Sequence, residues 1–208
     1  IFFMKKKEQI KQIIRDFHIN DNFDVKTRAL QPPIDTKKII TLIGVRRCGK
    51  TSILYDMINQ LSLNTEKTKI LFLNFEDERL ELELDELDLV LQSFSELYPK
   101  QDLKGCYFFF DEIQNITGWE KFVRRIYDSI SKNIFITGSN SKLLSSEIAT
   151  SLRGRTLSYE VYPLSFSEYL SFKDIEVDLY SSKSLAHIKN AQESFLKNGA
   201  FPETLFLE

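Results

Sequence analysis

The sequence lacks any apolar run approaching the roughly 20 residues that span a bilayer, so we expect no membrane helix. It has only two cysteines, Cys48 and Cys106, which lack the spacing of metal ligands and are too few for a disulfide framework. We expect both to be free thiols in a reducing cytoplasm. The two histidines, His18 and His187, are isolated, and with no His/Cys/Glu cluster a zinc enzyme is not expected.

The sequence also lacks a strong charge of either sign. Its 28 Lys and Arg residues nearly balance its 30 Asp and Glu residues, which leaves a net charge of -2. This balance gives no general attraction to nucleic acid or to an anionic membrane surface. Residues 5–7 form the one run of three basic residues, and a solvated helix start explains it. Charge therefore does not support a nucleic-acid partner.

Short β-rich runs alternate with amphipathic stretches along the chain. This alternation predicts an α/β fold with a parallel sheet covered by helices on both faces. Four of the five predicted strands are almost continuously apolar, which is typical of strands buried on both faces, whereas the last alternates and is expected at an edge. Ser165 and Ser184 are the expected N-caps of the last two helices. The predicted strands are 39–43, 70–75, 106–110, 134–137 and 157–161, and the predicted helices are 6–17, 50–61, 85–98, 118–131, 141–151, 165–171 and 184–198.

The pattern divides the chain into three parts. Residues 1–35 form an N-terminal helix and a linker, in which Pro32 and Pro33 exclude helix. Residues 36–163 form the α/β core, and residues 164–208 form a helical segment. Met4 is the expected natural initiator. The apolar end of the chain leads us to expect a fragment of a longer protein, whose helical segment begins a lid or a further domain.

Residues 44–51 fit the phosphate-loop pattern G-x-x-x-x-G-K-[ST] at every fixed position, between an apolar strand and an amphipathic helix. Glycines let backbone N–H groups point at phosphate oxygens, and the helix N-terminus adds positive charge. Lys50 is expected on the β- and γ-phosphates and the Thr51 hydroxyl on Mg²⁺. Arg46 and Arg47 either touch phosphate or face solvent. The sequence therefore predicts a site for ATP with Mg²⁺ formed by Gly44, Val45, Arg46, Arg47, Cys48, Gly49, Lys50, Thr51 and Ser52.

Two carboxylates, Asp111 and Glu112, end the third apolar run. Ligands bind at the carboxyl ends of strands in open α/β sheets, so Asp111 is expected to hold Mg²⁺ there, directly or through water. Glu112 is expected to orient and deprotonate the attacking water. The alternative is a solvated acidic turn. The guanine-selecting Asn-Lys-x-Asp motif is absent from the chain, which favours ATP over GTP.

Two further polar groups have open roles. Ser139 and Asn140 follow the fourth strand, where they either hydrogen-bond the attacking water or the γ-phosphate, or cap the next helix. Arg153 and Arg155 precede the fifth strand. They either stabilise charge on the transferring phosphoryl group, in their own subunit or a neighbour's, or form a basic turn at a helix C-terminus. Arg155 is the first choice for the catalytic role.

Together these motifs resemble the AAA+-type ATPases, and among them the predicted bacterial and archaeal ATPases that often carry a C-terminal domain of unknown function. The resemblance implies a P-loop NTPase fold of three layers with the sheet order 5-1-4-3-2, and a sensor at Ser139 or Asn140. It also implies that the chain continues into a helical or winged-helix lid and a further domain. It rests on residues 44–51, 74–77, 110–114, 137–140, 152–155, 163–170 and 199–203.

The motifs lead to three candidate functions. The first is an ATP hydrolase with Glu112 as the base. The second is a nucleotide-dependent switch or scaffold with slow hydrolysis, which needs the same residues. The third, a nucleic-acid motor, lacks the basic surface that it would need. A homo-oligomer and a protein partner are compatible with the first two.

Overall fold

The computed structural model describes residues 2–20, 22–139 and 151–206. Within these residues five strands form one sheet, with the spatial order β2-β3-β4-β1-β5 and parallel pairing throughout. This confirms the predicted order 5-1-4-3-2 and the alternating last strand at an edge. Predicted and observed strand ends differ by one residue at most. The strands are β1 (Ile39–Ile43), β2 (Ile70–Asn74), β3 (Tyr107–Asp111), β4 (Ile134–Gly138) and β5 (Thr156–Glu160).

Six α-helices are present in the described residues. Short 3-10 turns lie between and after them, among them Leu84–Glu86 before α3 and Pro202–Phe206 after the last helix. Among the described helices, none is both long and apolar enough to cross a membrane. The helix predicted at 141–151 lies outside the described residues except for its last residue. The helices are α1 (Phe2–Ile19), α2 (Lys50–Ser62), α3 (Asp88–Leu97), α4 (Trp119–Ser129), α5 (Phe166–Phe172) and α6 (Ser182–Asn198).

Three helix starts differ from the sequence prediction by more than one residue. Helix α1 begins at Phe2, four residues before the predicted start at residue 6. The stretch predicted as one helix over 85–98 begins as the 3-10 turn Leu84–Glu86, which a reciprocal capping box with Glu83 closes before α3 starts. Ser184 was the wrong N-cap for α6, because Ser181 accepts the backbone N–H of Ser184 and opens the helix three residues earlier. The hydroxyl of Ser184 instead donates to the carbonyl of Glu176 in the preceding loop.

The core lies on both faces of the sheet, because alternate residues of each buried strand point to opposite sides. On β3, Phe108 and Phe110 pack with α3 and α4, whereas Phe109 packs with α2. The ring of Phe109 stacks on Phe135 of β4, with 4.4 Å between centroids. The aromatic and aliphatic side chains of β3 and β4 are packed on both faces of the sheet. This packing gives the carboxyl ends of β3 and β4 a rigid support.

Helix α1 covers the β2 edge of the sheet. Ile10 and Ile14 join the core on one face, and Phe17 joins the core on the other. His18 fixes the end of α1, since its Nε2 lies 2.8 Å from the carbonyl of Ile70 and its Nδ1 contacts the hydroxyl of Tyr98. These partners assign the proton to Nε2, which donates to the carbonyl, and leave Nδ1 to accept from the tyrosine.

The C-terminal helices form a small core of their own. Tyr169 and Leu170 of α5 pack with Ala191 of α6, and Phe195 closes the cluster. A capping box begins α5, in which Ser165 and Glu168 accept each other's backbone N–H groups. The α5–α6 pair is therefore a separate packing unit that begins directly after β5.

We expect His18 to make the stability of the fold depend on pH. Burial lowers its pKa below the ordinary value of 6.5. The unfolded chain therefore binds the proton more tightly, and the free energy of unfolding should fall as pH decreases from above 6.5 towards the lower pKa of the folded state. His18→Gln should weaken this dependence, as measured by urea unfolding between pH 8 and pH 5.5.

The matched control is His187→Gln, since His187 is the chain's other histidine and lies exposed on α6. It should keep the pH dependence of the wild-type protein. Identical pH profiles for wild type and His18→Gln would show that His18 does not carry the effect.

Candidate functional site

The predicted phosphate loop connects β1 to α2, in the strand–loop–helix arrangement expected from the sequence. Gly49 precedes the helix with φ of 99°, a left-handed conformation that glycine adopts without steric cost. Gly44 is packed too tightly for a side chain, because a Cβ there would lie 2.2 Å from the carbonyl oxygen of Val161 and 2.9 Å from the Sγ of Cys48. Both glycines of the motif are thus required by the geometry of the loop.

The side chain of Lys50 folds back under this loop. Its ammonium group donates to the carbonyls of Gly44 and Val45, at 3.2 and 3.1 Å. The Oε1 of Glu112 lies 3.3 Å away, and the hydroxyl oxygen of Ser139 lies 3.5 Å away. With Lys50 only 3% exposed, these four oxygens replace the water that a buried ammonium would lose.

Asp111 is the last residue of β3 and is fully buried. Its carboxylate accepts from the hydroxyl of Thr51 at 2.8 Å and from the hydroxyl of Thr137 at 2.5 Å. Burial raises the pKa of Asp111, and these two hydrogen bonds oppose the rise. The carboxylate of Asp111 and the hydroxyl of Thr51 are hard oxygen ligands held side by side, which is the donor type that Mg²⁺ prefers.

Glu112 leaves the strand in a left-handed conformation, with φ of 51°. Its backbone N–H donates to Thr137 at 2.9 Å, and its carboxylate accepts from Gln114 at 2.6 Å and from the hydroxyl of Ser139. Burial alone would raise the pKa of Glu112, but these two hydrogen bonds and the charge of Lys50 outweigh it, so the pKa lies below its ordinary value. Glu112 is therefore a carboxylate at neutral pH, held by donors on two sides.

The remaining loop residues have different surroundings. Arg46 and Arg47 point outward, with about 70% of each side chain exposed, and pair with Glu76 at 2.9 Å and with Glu203 at 3.1 Å. Both also line the smaller of the two cavities at the loop, beside Lys50, so contact with a phosphate stays a prediction. Cys48 is buried, and burial raises the pKa of its thiol. Asn140 lies outside the described residues.

Arg153 and Arg155 precede β5, so they lie at the amino ends of the parallel strands, whereas the phosphate loop follows the carboxyl end of β1. The backbone N–H of Ile39, at the start of β1, donates to the carbonyl of Arg155 at 2.8 Å. The guanidinium of Arg155 pairs with Asp128 at 2.9 Å. Since the loop begins five residues further along β1, Arg155 is about 16 Å from it along the strand. The structure brings neither arginine to the phosphate loop of its own chain.

Two cavities meet at the loop, at Gly49, Ser52 and Pro202. The smaller, of about 390 Å³, includes Lys50, Thr51 and Glu112. The larger, of about 560 Å³, lies on the other side of Gly49, and its walls combine apolar and charged side chains. These are Asp24, Val25, Lys26, Arg28, Phe172, Lys173, Asp174 and Leu205.

Several residues of the site were given no role from the sequence, although three of them lie in motifs that carry the resemblance. Thr137 bridges Asp111 and Glu112, and its signal was a hydroxyl at the end of an otherwise apolar strand. Gln114 hydrogen-bonds Glu112 from the turn after β3. Arg28 reaches the loop from the linker before β1, where no local pattern marks it, and Glu168 contacts Arg28 from the start of α5.

Comparison with known proteins identifies the family. The family model described as an AAA domain matches residues 36–170. The chain belongs to the AAA family. This confirms the resemblance to AAA+-type P-loop ATPases, and it indicates nucleotide binding and ATPase activity as the general chemistry of this AAA domain.

The relatives of this AAA domain are longer than the chain. It is 43% identical over 206 residues to the uncharacterized protein MJ1544 of Methanocaldococcus jannaschii, covering 95% of the chain and 44% of that protein. It is 37% identical over 177 residues to an uncharacterized Haemophilus influenzae protein, covering 84% of the chain and 42% of that protein. The chain thus spans less than half of either relative.

Among solved structures, C. elegans PCH-2 is similar in fold. The TM-score is 0.53 at 17% sequence identity, and the match covers 96% of the chain and 58% of PCH-2. At this identity the likeness supports the fold of the AAA domain alone.

We expect Gly44→Ala to destabilise the AAA domain. The added methyl would meet the Val161 carbonyl and the Cys48 thiol, and neither backbone nor buried sulfur can move away without repacking. The free energy of unfolding should fall by about 1–3 kcal/mol, the usual cost of overpacking. Gly105→Ala is the control, because a Cβ at Gly105 meets nothing within 4 Å. Equal urea midpoints for the two variants would contradict the packing argument.

Proposed function

We propose that the protein binds ATP with Mg²⁺ and hydrolyses it, releasing the γ-phosphate. The observation that carries this proposal is the convergence of Lys50, Thr51, Asp111, Glu112 and Ser139 at the carboxyl ends of β1, β3 and β4. Thr51 there contacts Asp111, and both Lys50 and Ser139 contact Glu112. These side chains offer the four parts of phosphoryl transfer: Lys50 a cation, Thr51 and Asp111 metal ligands, Glu112 a base and Ser139 a hydrogen-bond donor.

Lys50 and the loop would bind the phosphates. The Lys50 ammonium is currently compensated by Glu112 at 3.3 Å, and an anionic phosphate can replace that compensation. Backbone N–H groups of the loop and the N-terminus of α2 add donors and positive charge on the same side. Phosphate binding would then release Glu112 from its ion pair.

Thr51 and Asp111 would hold Mg²⁺, which supplies positive charge against the phosphate oxygens. Thr137 supports this arrangement from β4, since its hydroxyl donates to the Oδ1 of Asp111 and leaves the Oδ2 on the Thr51 side. The role of Asp111 is therefore to place one carboxylate oxygen next to the helix that carries the loop's lysine.

Glu112 would accept a proton from the attacking water. Its carboxylate is oriented by Ser139 and Gln114, and its backbone by Thr137, so it is held in one position before any substrate arrives. Ser139, and Asn140 next to it, would hydrogen-bond the water or the γ-phosphate.

The base and the ribose would occupy the larger cavity. It adjoins the loop at Gly49 and Ser52, and its volume of about 560 Å³ is in the range of small-molecule sites. Val25, Phe172 and Pro202 offer apolar surface to a purine ring.

Arg155, with Arg153 as the second choice, would act on the site of a neighbouring subunit. Both lie at the amino ends of the strands, away from the phosphate loop of their own chain, and Arg155 is only partly buried by its pair with Asp128. A homo-oligomer would bring such an arginine to the next subunit's phosphates, where it stabilises developing charge.

A nucleotide-dependent switch is the second candidate. It is favoured by the contact of Arg47 in the loop with Glu203 in the C-terminal segment, which links the phosphate site to a region outside the sheet. Fast single-turnover hydrolysis favours the hydrolase. Slow turnover with an ATP-driven change in oligomer size favours the switch.

We expect Glu112→Gln to separate binding from hydrolysis. The amide keeps a hydrogen-bond acceptor for Ser139 but cannot take a proton, so single-turnover hydrolysis should fall at least roughly 100-fold while ATP affinity changes little. Lys50→Ala should weaken both. Glu76→Gln is the control, because this glutamate also lines the smaller cavity but pairs only with the exposed Arg46 among the contacts described. Unchanged hydrolysis in Glu112→Gln would exclude Glu112 as the base.

We expect subunits with different defects to complement each other. Lys50→Ala subunits lose their own site but still carry Arg155, whereas Arg155→Ala subunits keep the site and lose the arginine. Mixing the two inactive variants should restore part of the ATPase rate, measured by phosphate release. Arg125→Ala, which removes another surface arginine paired with an aspartate, should stay active alone. If Arg155→Ala alone hydrolyses ATP at the wild-type rate, the proposed role fails.

A further inference from the structure

Arg28 is a buried arginine that lies outside every motif of the site. It belongs to the linker before β1, yet its side chain is only 6% exposed. Nη1 donates to the carbonyl of Cys48 in the phosphate loop at 2.8 Å, and Nη2 donates to the carbonyl of Tyr162 after β5 at 3.0 Å. Nε and Nη2 also donate to the two carboxylate oxygens of Glu168 on α5, at 2.7 and 3.2 Å. One guanidinium thus joins three separate segments of the chain.

The contact with Cys48 determines which way one peptide group of the loop points. In a trans peptide the C=O and the following N–H point in opposite directions. With the Cys48 carbonyl turned towards Arg28, the N–H of Gly49 must point away from it. Gly49 itself imposes little restraint on this peptide, because glycine tolerates many backbone conformations. A reversed peptide would present a carbonyl oxygen, instead of an N–H donor, to a bound phosphate.

Glu168 connects the same guanidinium to the start of α5. Besides Arg28, its carboxylate accepts the backbone N–H groups of Ala29 at 3.0 Å and of Ser165 at 2.9 Å. Burial alone would raise the pKa of Glu168, but the hydrogen bonds from Arg28, Ser165 and Ala29 outweigh it and hold the pKa at about 2. The residue remains charged at neutral pH, so the ion pair persists there. A shift of α5 would therefore pull on Arg28.

We propose that Arg28 is a positioning residue that fixes the Cys48–Gly49 peptide for phosphate binding, and that Glu168 couples this orientation to the position of α5. The inference rests on the proposed nucleotide site and adds a route by which the C-terminal helical segment regulates it. Arg28 lines the larger cavity, and it acts on the phosphate side through the loop backbone, since its hydrogen bond goes to a carbonyl that faces away from that side.

Thermodynamic linkage adds a second consequence. If the position of α5 alters nucleotide affinity, then nucleotide must alter the position or stability of α5 by the same free energy. Bound nucleotide holds the Gly49 N–H in place and so favours the orientation that Arg28 and Glu168 support. Binding should therefore protect the backbone N–H groups of α5, whose helix start contains Glu168.

The test must separate this role from plain stability. Removing one partner of a buried ion pair leaves an uncompensated charge and can unfold the protein, so the main variant replaces both, as Arg28→Met with Glu168→Gln. The matched control is Lys6→Met with Glu86→Gln. That pair is similarly buried, with side chains 18% and 8% exposed and 2.6 Å between Nζ and Oε2, but it joins α1 to the turn before α3.

The first measurement is the Kd of a fluorescent ATP analogue with Mg²⁺, on protein whose folding is checked by thermal melting. In the Arg28/Glu168 variant Kd should rise roughly ten- to a hundredfold, the range for one charge-assisted hydrogen bond. The Lys6/Glu86 variant should lose stability with its Kd within twofold of wild type. Equal Kd values in wild type and the Arg28/Glu168 variant would overturn the positioning role. If wild type itself does not bind the analogue, the proposed function fails instead.

The second measurement is hydrogen exchange of α5 with and without ATP and Mg²⁺. Wild type should exchange more slowly in α5 when nucleotide is bound, and the Arg28/Glu168 variant, at saturating nucleotide, should lose this difference. The Lys6/Glu86 control should keep it. Wild-type exchange in α5 that does not respond to bound nucleotide would overturn the coupling, whatever the effect on Kd.

Discussion

The buried ammonium group of Lys50 is the interaction on which the arrangement of the site depends. A charge removed from water is unfavourable unless polar groups replace its hydration. The carbonyls of Gly44 and Val45 and the carboxylate of Glu112 do this, within 3.1–3.3 Å. Glu112 in turn is fixed by Ser139. A single buried charge therefore ties the loop after β1 to the ends of β3 and β4.

The order of the strands decides what else can join this network. With β4 between β1 and β3, the carboxyl ends that carry the loop, Thr137 and Asp111 are adjacent, and Thr137 can donate directly to Asp111. The same parallel direction puts the residue before β5 at the amino end of the sheet. Although β1 and β5 are neighbours, Arg155 lies at the amino ends of the strands and Lys50 at the carboxyl ends. A role for Arg155 in phosphoryl transfer thus requires a second subunit.

The sequence predicts the parts of the fold that depend on neighbours along the chain. Four apolar runs and one alternating run located every strand within one residue, and the loop pattern identified Lys50 with its strand and helix. Contacts between distant residues had no such signal. Arg28 and Glu168 are 140 residues apart, and although Ser165 and Glu168 have the spacing of a capping box, nothing local predicts that Glu168 pairs with Arg28. The N-cap of α6 was assigned to Ser184 instead of Ser181, because two serines three positions apart are equally suitable until the loop fixes one of them.

The Arg28–Glu168 pair is better explained by orientation than by stability. Burying two charges costs desolvation that their attraction only partly repays, and well-packed apolar residues of similar size often stabilise a fold as well or better. An apolar pair, however, cannot donate to the Cys48 carbonyl or accept from Ala29 and Ser165. The planar guanidinium does what the fold needs here, because its fixed donors point at a loop carbonyl and at a helix-capping carboxylate simultaneously. Directional contacts of this kind restrict a glycine-containing loop, whereas nonpolar packing would leave its peptide free to turn.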